Sequence, residues 1–172
     1  MKRFIMISGT MGVGKTATCL ELKKLLPGAV FLDGDWCWDM DPFVVTDETK
    51  AMVQDNIVYL LNRFLHCSVF ENIIFCWVMH QQEIIDGILT RLETSDCQVC
   101  VFSLLCSPES LIQRIQKDVE EGRRTPDVLE RTLPRLPLYN ALNTIKIWTD
   151  ELTPQKTAQV IVKMMESSAH GV

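Results

Sequence analysis

Five short apolar runs alternate along the chain with segments whose apolar residues recur at helical spacing. The first run lies in Arg3–Ser8 and reads as a strand. A Gly-rich stretch follows, then a helix from near Gly14 with Leu22, Leu25 and Leu26 on one face, ended by Pro27-Gly28. Ala29–Leu32 is the second run. A long helix is predicted over Asp47–His66: Thr46 stands at the N-cap, Asp47 and Glu48 fill the first turn, and Val53, Ile57, Leu60, Leu61, Phe64 and Leu65 form the stripe. Asn72–Met79 is almost wholly apolar, as in a central strand buried on both faces, and a helix follows to about Thr94. Gln98–Leu105 is the fourth strand. Ser107-Pro108-Glu109 opens a helix that runs to about Glu121 and stops at Gly122. A short helix is predicted over Asp127–Arg131, and Leu133–Pro137 breaks the pattern. Thr144–Thr149 is the fifth strand and Gln155–Ser168 the closing helix, with Val160, Ile161 and Met164 inward. Ala169–Val172 is expected to fray. The alternation predicts an α/β fold, a parallel sheet with helices on both faces, and 172 residues make one domain.

The stretch after the first strand carries the sharpest chemical signal. Gly9-Thr10-Met11-Gly12-Val13-Gly14-Lys15-Thr16 fits G-x-x-x-x-G-K-[ST], and it sits between a strand and a helix as that motif requires. Glycines let successive backbone N–H groups turn inward onto phosphate oxygens, and the helix start adds its positive dipole end. Lys15 is suited to the β- and γ-phosphates and Thr16 to Mg²⁺.

Bulk composition narrows the partners. The net charge of −5 disfavours broad binding to nucleic acid or to an anionic membrane, and neither partner is expected. No run approaches a membrane span and no signal peptide is visible, so a cytoplasmic protein is expected. The seven cysteines are odd in number and scattered, which argues against a disulfide framework. Cys97 and Cys100 form a lone C-x-x-C without the second ligand pair that zinc wants, and Cys100 falls in a strand.

Three further segments hold candidate chemistry. Asp33-Gly34-Asp35-Trp36-Cys37-Trp38-Asp39-Met40-Asp41-Pro42 follows the second strand at the sheet edge where ligands bind in open parallel sheets. It has four carboxylates, two Trp and no Lys or Arg. The third strand ends at Met79-His80, where many P-loop proteins carry an acid that supports Mg²⁺. That shifts the metal-side role to Asp33 or Asp35 and counts against motor-type and GTPase-type readings. Arg123, Arg124, Arg131 and Arg135 lie in a broken helical stretch, residues 122–137, that reads as a mobile lid able to bring guanidinium groups onto phosphate. Arg63 lies off the stripe of its helix.

This set resembles the small P-loop kinases: the shikimate, gluconate, adenylylsulfate and nucleoside-monophosphate kinases and the chloramphenicol phosphotransferases. Leu32-Asp33-Gly34-Asp35 resembles the Leu-Asp-Gly-Asp of adenylylsulfate kinases, Gly122-Arg123-Arg124 the start of an Arg-bearing lid, and Asp150–Pro154 the loop whose backbone contacts adenine. The Trp-Cys-Trp after the acidic pair matches none of their substrate signatures. The resemblance implies a three-layer P-loop NTPase fold with a five-stranded parallel sheet. It also implies an ATP- and Mg²⁺-dependent transfer of the γ-phosphoryl group to a hydroxyl of a small molecule.

On this reading Gly9 through Thr16, with Arg123 and Arg124, bind the nucleotide. Thr16 and Asp33 attend the metal, and Lys15, Asp35 and Arg124 carry the transfer. Asp33 and Asp35 are interchangeable in role at this stage. Asp33, Asp35, Trp36, Trp38, Arg63 and His80 are candidates for the acceptor, whose pocket is expected between the 33–41 loop, the 47–66 helix and His80. Carboxylates and indoles there favour a neutral polyhydroxy or a cationic acceptor over a nucleoside monophosphate, for which only Arg63 is suited. A nucleoside or nucleotide kinase and a nucleotide-binding regulator without phosphotransfer are the alternatives. The chain is expected to be a monomer or a homodimer.

Overall fold

A computed structural model of the protein describes residues 1–169. In chain order the elements are β1 (Lys2–Gly9), α1 (Lys15–Leu25), β2 (Ala29–Asp33), α2 (Asp47–His66), β3 (Asn72–Trp77), α3 (Gln82–Leu89), β4 (Cys97–Leu105), α4 (Pro108–Glu120), α5 (Val128–Thr132), β5 (Ile145–Trp148) and α6 (Pro154–Ala169). Gly34–Trp38 and Leu133–Ala141 form 3₁₀ segments. The five strands pair in parallel in the order β2-β3-β1-β4-β5. This is the expected three-layer α/β P-loop fold.

β1 is paired on both edges, by β3 and β4, and helices pack on both its faces, so Phe4, Ile5, Met6 and Ile7 are fully buried. Period-two alternation splits them. Ile5 and Ile7 join a core with Cys19 and Leu22 of α1 and Ala158, Ile161 and Met165 of α6. Phe4 and Met6 join the opposite core with Val53, Ile57 and Leu61 of α2, Ile85 of α3 and Tyr139. Because all strands run in one direction, one edge of the sheet gathers five connections: the P-loop, the acidic loop, His80, Ser107 and Asp150.

Several boundaries differ from the sequence reading for local reasons. Leu25 is 44 % exposed, because the buried row of α1 runs through Leu22 to Leu26. Val58 is buried in α2, while Leu60 and Phe64 are only partly covered. α3 stops at Leu89 instead of near Thr94. Asn62 of α2 takes over there: its side chain donates to the Arg91 carbonyl and accepts from the Glu93 amide, both at 3.0 Å, which holds an irregular turn. In α2 the start is as expected: Thr46 accepts from the Thr49 amide at 3.1 Å and Thr49 returns a bond to the Thr46 amide at 2.8 Å. The fraying expected at Ala169–Val172 falls largely outside the described residues; Ala169 itself ends α6.

Candidate active site

The P-loop crosses from β1 to α1. Gly12 has φ of +81°, and a Cβ there would stand 2.8 Å from Ile115, so only glycine lets this bend pack against α4. Gly14 caps α1 without a side-chain bond and no acid lies in the first turn, which leaves the helix-start amides open to an anion. Lys15 is almost buried and its ammonium donates to the Thr10 carbonyl at 3.0 Å. Burial pulls its pKa below the ordinary range; nearby Asp35 and Asp33 oppose that pull, and Arg124 adds to it.

The acidic loop turns back onto the P-loop. The Asp33 carboxylate accepts from the Thr16 hydroxyl at 2.7 Å through one oxygen and from the Asp35 amide at 3.1 Å through the other. Asp33 is 5 % exposed. A hydroxyl and a carboxylate held together beside an open helix start are the hard oxygen donors that Mg²⁺ takes alongside phosphate oxygens, so this pair fits that ion. The adjacency also separates the two acids: Asp33 is turned to Thr16, while Asp35 faces the open cleft.

Asp35 is shaped by a residue that the sequence does not advertise. Trp77, at the end of β3, packs against Gly34, where a Cβ would stand 2.5 Å from the indole. Only glycine allows that approach. Partial desolvation by the cleft wall raises the Asp35 pKa above the usual carboxylate value, and the Asp33 charge adds to the rise. Lys15, a hydrogen bond from Trp77, and Arg124 oppose it. Trp77 thus stands beside the acidic pair at the strand end where many P-loop proteins carry an acid.

Two clefts meet here. The first, about 410 Å³, is lined by the P-loop and the start of α1, by Asp35, and by Arg114, Lys117, Asp118, Arg123 and Arg124. The second, about 570 Å³, is lined by Met11, Asp35, Trp36, Trp38, Asp39 and Phe43. Met11 and Asp35 belong to both. A small recess of about 150 Å³ continues the first cleft between Val13, Arg114, Thr149, Leu152 and Pro154. Arg114 builds that corner by donating to the Val13 carbonyl at 3.1 Å, the Thr149 hydroxyl at 3.0 Å and the Thr149 carbonyl at 2.6 Å. Asp150 fixes the neighbouring loop by accepting from the Ser107 amide and hydroxyl and the Ser110 hydroxyl at 2.6–2.8 Å. Those bonds bring its pKa down to about 2.

Arg123 and Arg124 are gathered on one carboxylate. Arg123 donates to Asp118 at 2.7 Å and also pairs with Glu121, and Arg124 donates to the other Asp118 oxygen at 2.9 Å. Burial alone would raise Asp118; the two guanidinium bonds outweigh that and hold it below its ordinary value. Arg131 pairs with Asp127 at 2.7 Å.

Not every candidate reaches the clefts. Arg63 is corrected: it is exposed on the last turn of α2, beside the Leu65 and Cys67 carbonyls that accept from Lys2 at the start of β1. The eight-residue β1 separates that edge from the P-loop by roughly 20 Å, so Arg63 lies at the wrong end of the sheet. His80 sits at the correct edge but lines neither cleft. Its Nδ1 is buried without a hydrogen-bond partner, and burial, with help from Arg135, lowers its pKa. The second cleft is built by Met11 and residues of the 33–43 segment, with Phe43 against Trp38, and neither Arg63 nor His80 lines it. Trp77, Arg114 and Asp118 are the contributors that sequence reasoning missed.

The fold and its phosphate cleft define a P-loop nucleotide-binding protein. The chain belongs to the AAA domain family, whose model matches residues 5–133. No curated protein sequence matches it. Among solved structures it is similar to a sugar kinase from Janibacter sp. HTCC2649, with 15 % identity, 96 % of this chain and 95 % of that chain covered and a TM-score of 0.74. It is also similar to the Deinococcus radiodurans tunicamycin resistance protein, with 19 % identity, 96 % of each chain covered and a TM-score of 0.70. A third is shikimate kinase from Acinetobacter baumannii in complex with shikimate, with 20 % identity, 98 % and 95 % covered and a TM-score of 0.68. At these identities the likeness is one of fold, that of the small P-loop kinases. Among the described residues no helix is long and apolar enough to cross a membrane.

Proposed function

We propose that the protein transfers the γ-phosphoryl group of ATP to a hydroxyl of a small molecule. The observation that carries this reading is the position of Asp35 in the wall between a phosphate cleft and a second, aromatic cleft. A nucleotide-binding regulator has no need of a carboxylate aimed at such a junction.

The P-loop amides and Lys15 hold the β- and γ-phosphates, and the recess beside Arg114 and Pro154 takes the base. Thr16 and Asp33 would hold Mg²⁺, which when bound neutralises charge on the phosphate oxygens. Asp35 orients the acceptor hydroxyl and takes its proton late in the transfer, as the new O–P bond forms and the bond to the ADP oxygen breaks. Arg124, within electrostatic reach of both Lys15 and Asp35, closes on the phosphates as the 122–137 lid moves. Arg63 was the residue suited to a nucleoside monophosphate, and its distance removes that support from the nucleotide-kinase alternative. Seven unpaired cysteines favour the cytoplasm. The test is ADP release from Mg-ATP across a panel of hydroxylated metabolites: a subset should stimulate release, and a panel without effect contradicts the proposal.

A further inference from the structure

We infer that the acceptor is a hydroxylated cation, an alcohol bearing a protonated or quaternary amine, bound by the aromatic cleft with its hydroxyl toward Asp35. This rests on the phosphotransfer reading for its hydroxyl end and on the cleft itself for its charge. The lining of that cleft consists of two carboxylates, three aromatic rings and Met11, with no Lys, Arg or His. Trp36 is held edge-on by Phe31, centroids 5.2 Å apart and planes at 67°, yet stays 57 % exposed. Trp38 and Phe43 stand 5.7 Å apart at 48°, and Phe43 is 64 % exposed. Ring faces and carboxylates both attract a cation, so these five side chains share one preference.

The two acids are not equivalent. Asp35 also lines the phosphate cleft, together with Lys15 and Arg124. Asp39 lines only the aromatic cleft and, among the described residues, enters no ion pair with a Lys, Arg or His. A neutral polyol can stack on the indoles but leaves Asp39 without a counter-charge. An anionic acceptor meets both carboxylates. A molecule with a cationic head satisfies Asp39, Trp38 and Phe43 at the outer end and reaches the Met11–Asp35 wall with its hydroxyl. The shared wall thus fixes the orientation of the acceptor as well as its class.

Matched pairs isolate the charge. Choline and its neutral isostere 3,3-dimethylbutan-1-ol have the same shape, and glucosamine and glucose differ at one position. Calorimetric titration of the full chain in Mg-ADP should give the cation of each pair a dissociation constant about tenfold lower than its neutral partner. Asp39→Asn and Phe43→Ala, both at exposed positions, should each remove most of that difference. Equal or tighter binding of the neutral partners overturns the inference, as does absence of binding by all four at millimolar concentration. Unchanged choline affinity in both variants overturns the site. Phosphorylation is read separately, as ADP release. If neutral alcohols bind equally and are phosphorylated, the charge inference fails and the kinase reading stands; if cations bind preferentially and nothing is phosphorylated, the reverse holds.

Discussion

Lys15 sits almost out of solvent, bound to a carbonyl of its own loop, with its charge disfavoured by burial and supported by Asp33 and Asp35. On the proposed function, it meets the charge that develops between the transferring oxygens. Lys15→Ala should lower turnover by about two to three orders of magnitude, comparable to the loss of other preorganised charge-stabilising groups, in a steady-state assay with Mg-ATP. Asp35 has a different signature. Its raised pKa means that protonation begins at a higher pH than for an ordinary carboxylate, and the protonated form cannot accept the hydroxyl proton. Activity should fall on the acid side with an apparent pKa above the usual Asp value. Asp35→Asn should keep ATP binding while lowering turnover and removing that limb from the pH–rate profile. At this scale the sequence was informative where chemistry is local: Gly9 through Thr16 encode their geometry in their own spacing. It was silent on Trp77, Arg114 and Asp118. Trp77 meets the Asp33–Asp35 turn through strand pairing some forty positions away, and Arg114 meets Val13 across 101 positions. Arg63 misled because a cation off the apolar stripe of a helix carries no mark of which end of the helix faces the site.

Among the elements, the connections at the carboxyl edge were harder to read than the strands and helices. Apolar runs mark the strands, most plainly β1 and β3, which are buried along nearly their whole length, whereas the Gly34–Trp38 turn depends on one side chain, Asp33, accepting from the Asp35 amide. The α4 start depends in the same way on Asp150, which reaches it from the loop after β5. With its folded-state pKa near 2 against an ordinary value of 3.8, Asp150 stabilises the fold fully above the ordinary value. That stabilisation is lost as pH falls through about 2, because the unfolded chain takes up the proton first. Asp150→Asn should cost about 1 kcal/mol near neutrality after allowance for solvent screening. The gap in Tm between the two proteins should narrow between about pH 4 and pH 2. A gap that does not change over that range would detach the α4 cap from the charge of Asp150.

Across the whole molecule, Asp35 joins the two clefts, and Asp118 holds both Arg123 and Arg124 at the wall of the first. On the proposed function, a phosphate in that cleft would compete with the Asp118 carboxylate for the same guanidinium groups. Asp118→Asn weakens that hold and should lower the KM for ATP severalfold, while Arg124→Ala should lower kcat; an unchanged KM would mean that the two arginines do not change partner during turnover. The central claim, transfer to a hydroxyl, is tested most directly by phosphorus NMR of the full chain with Mg-ATP and the hydroxylated amines above. A new phosphate monoester resonance should grow in step with ADP and be absent with Lys15→Ala. ADP accompanied only by inorganic phosphate, or a monoester that persists in Lys15→Ala, would contradict it.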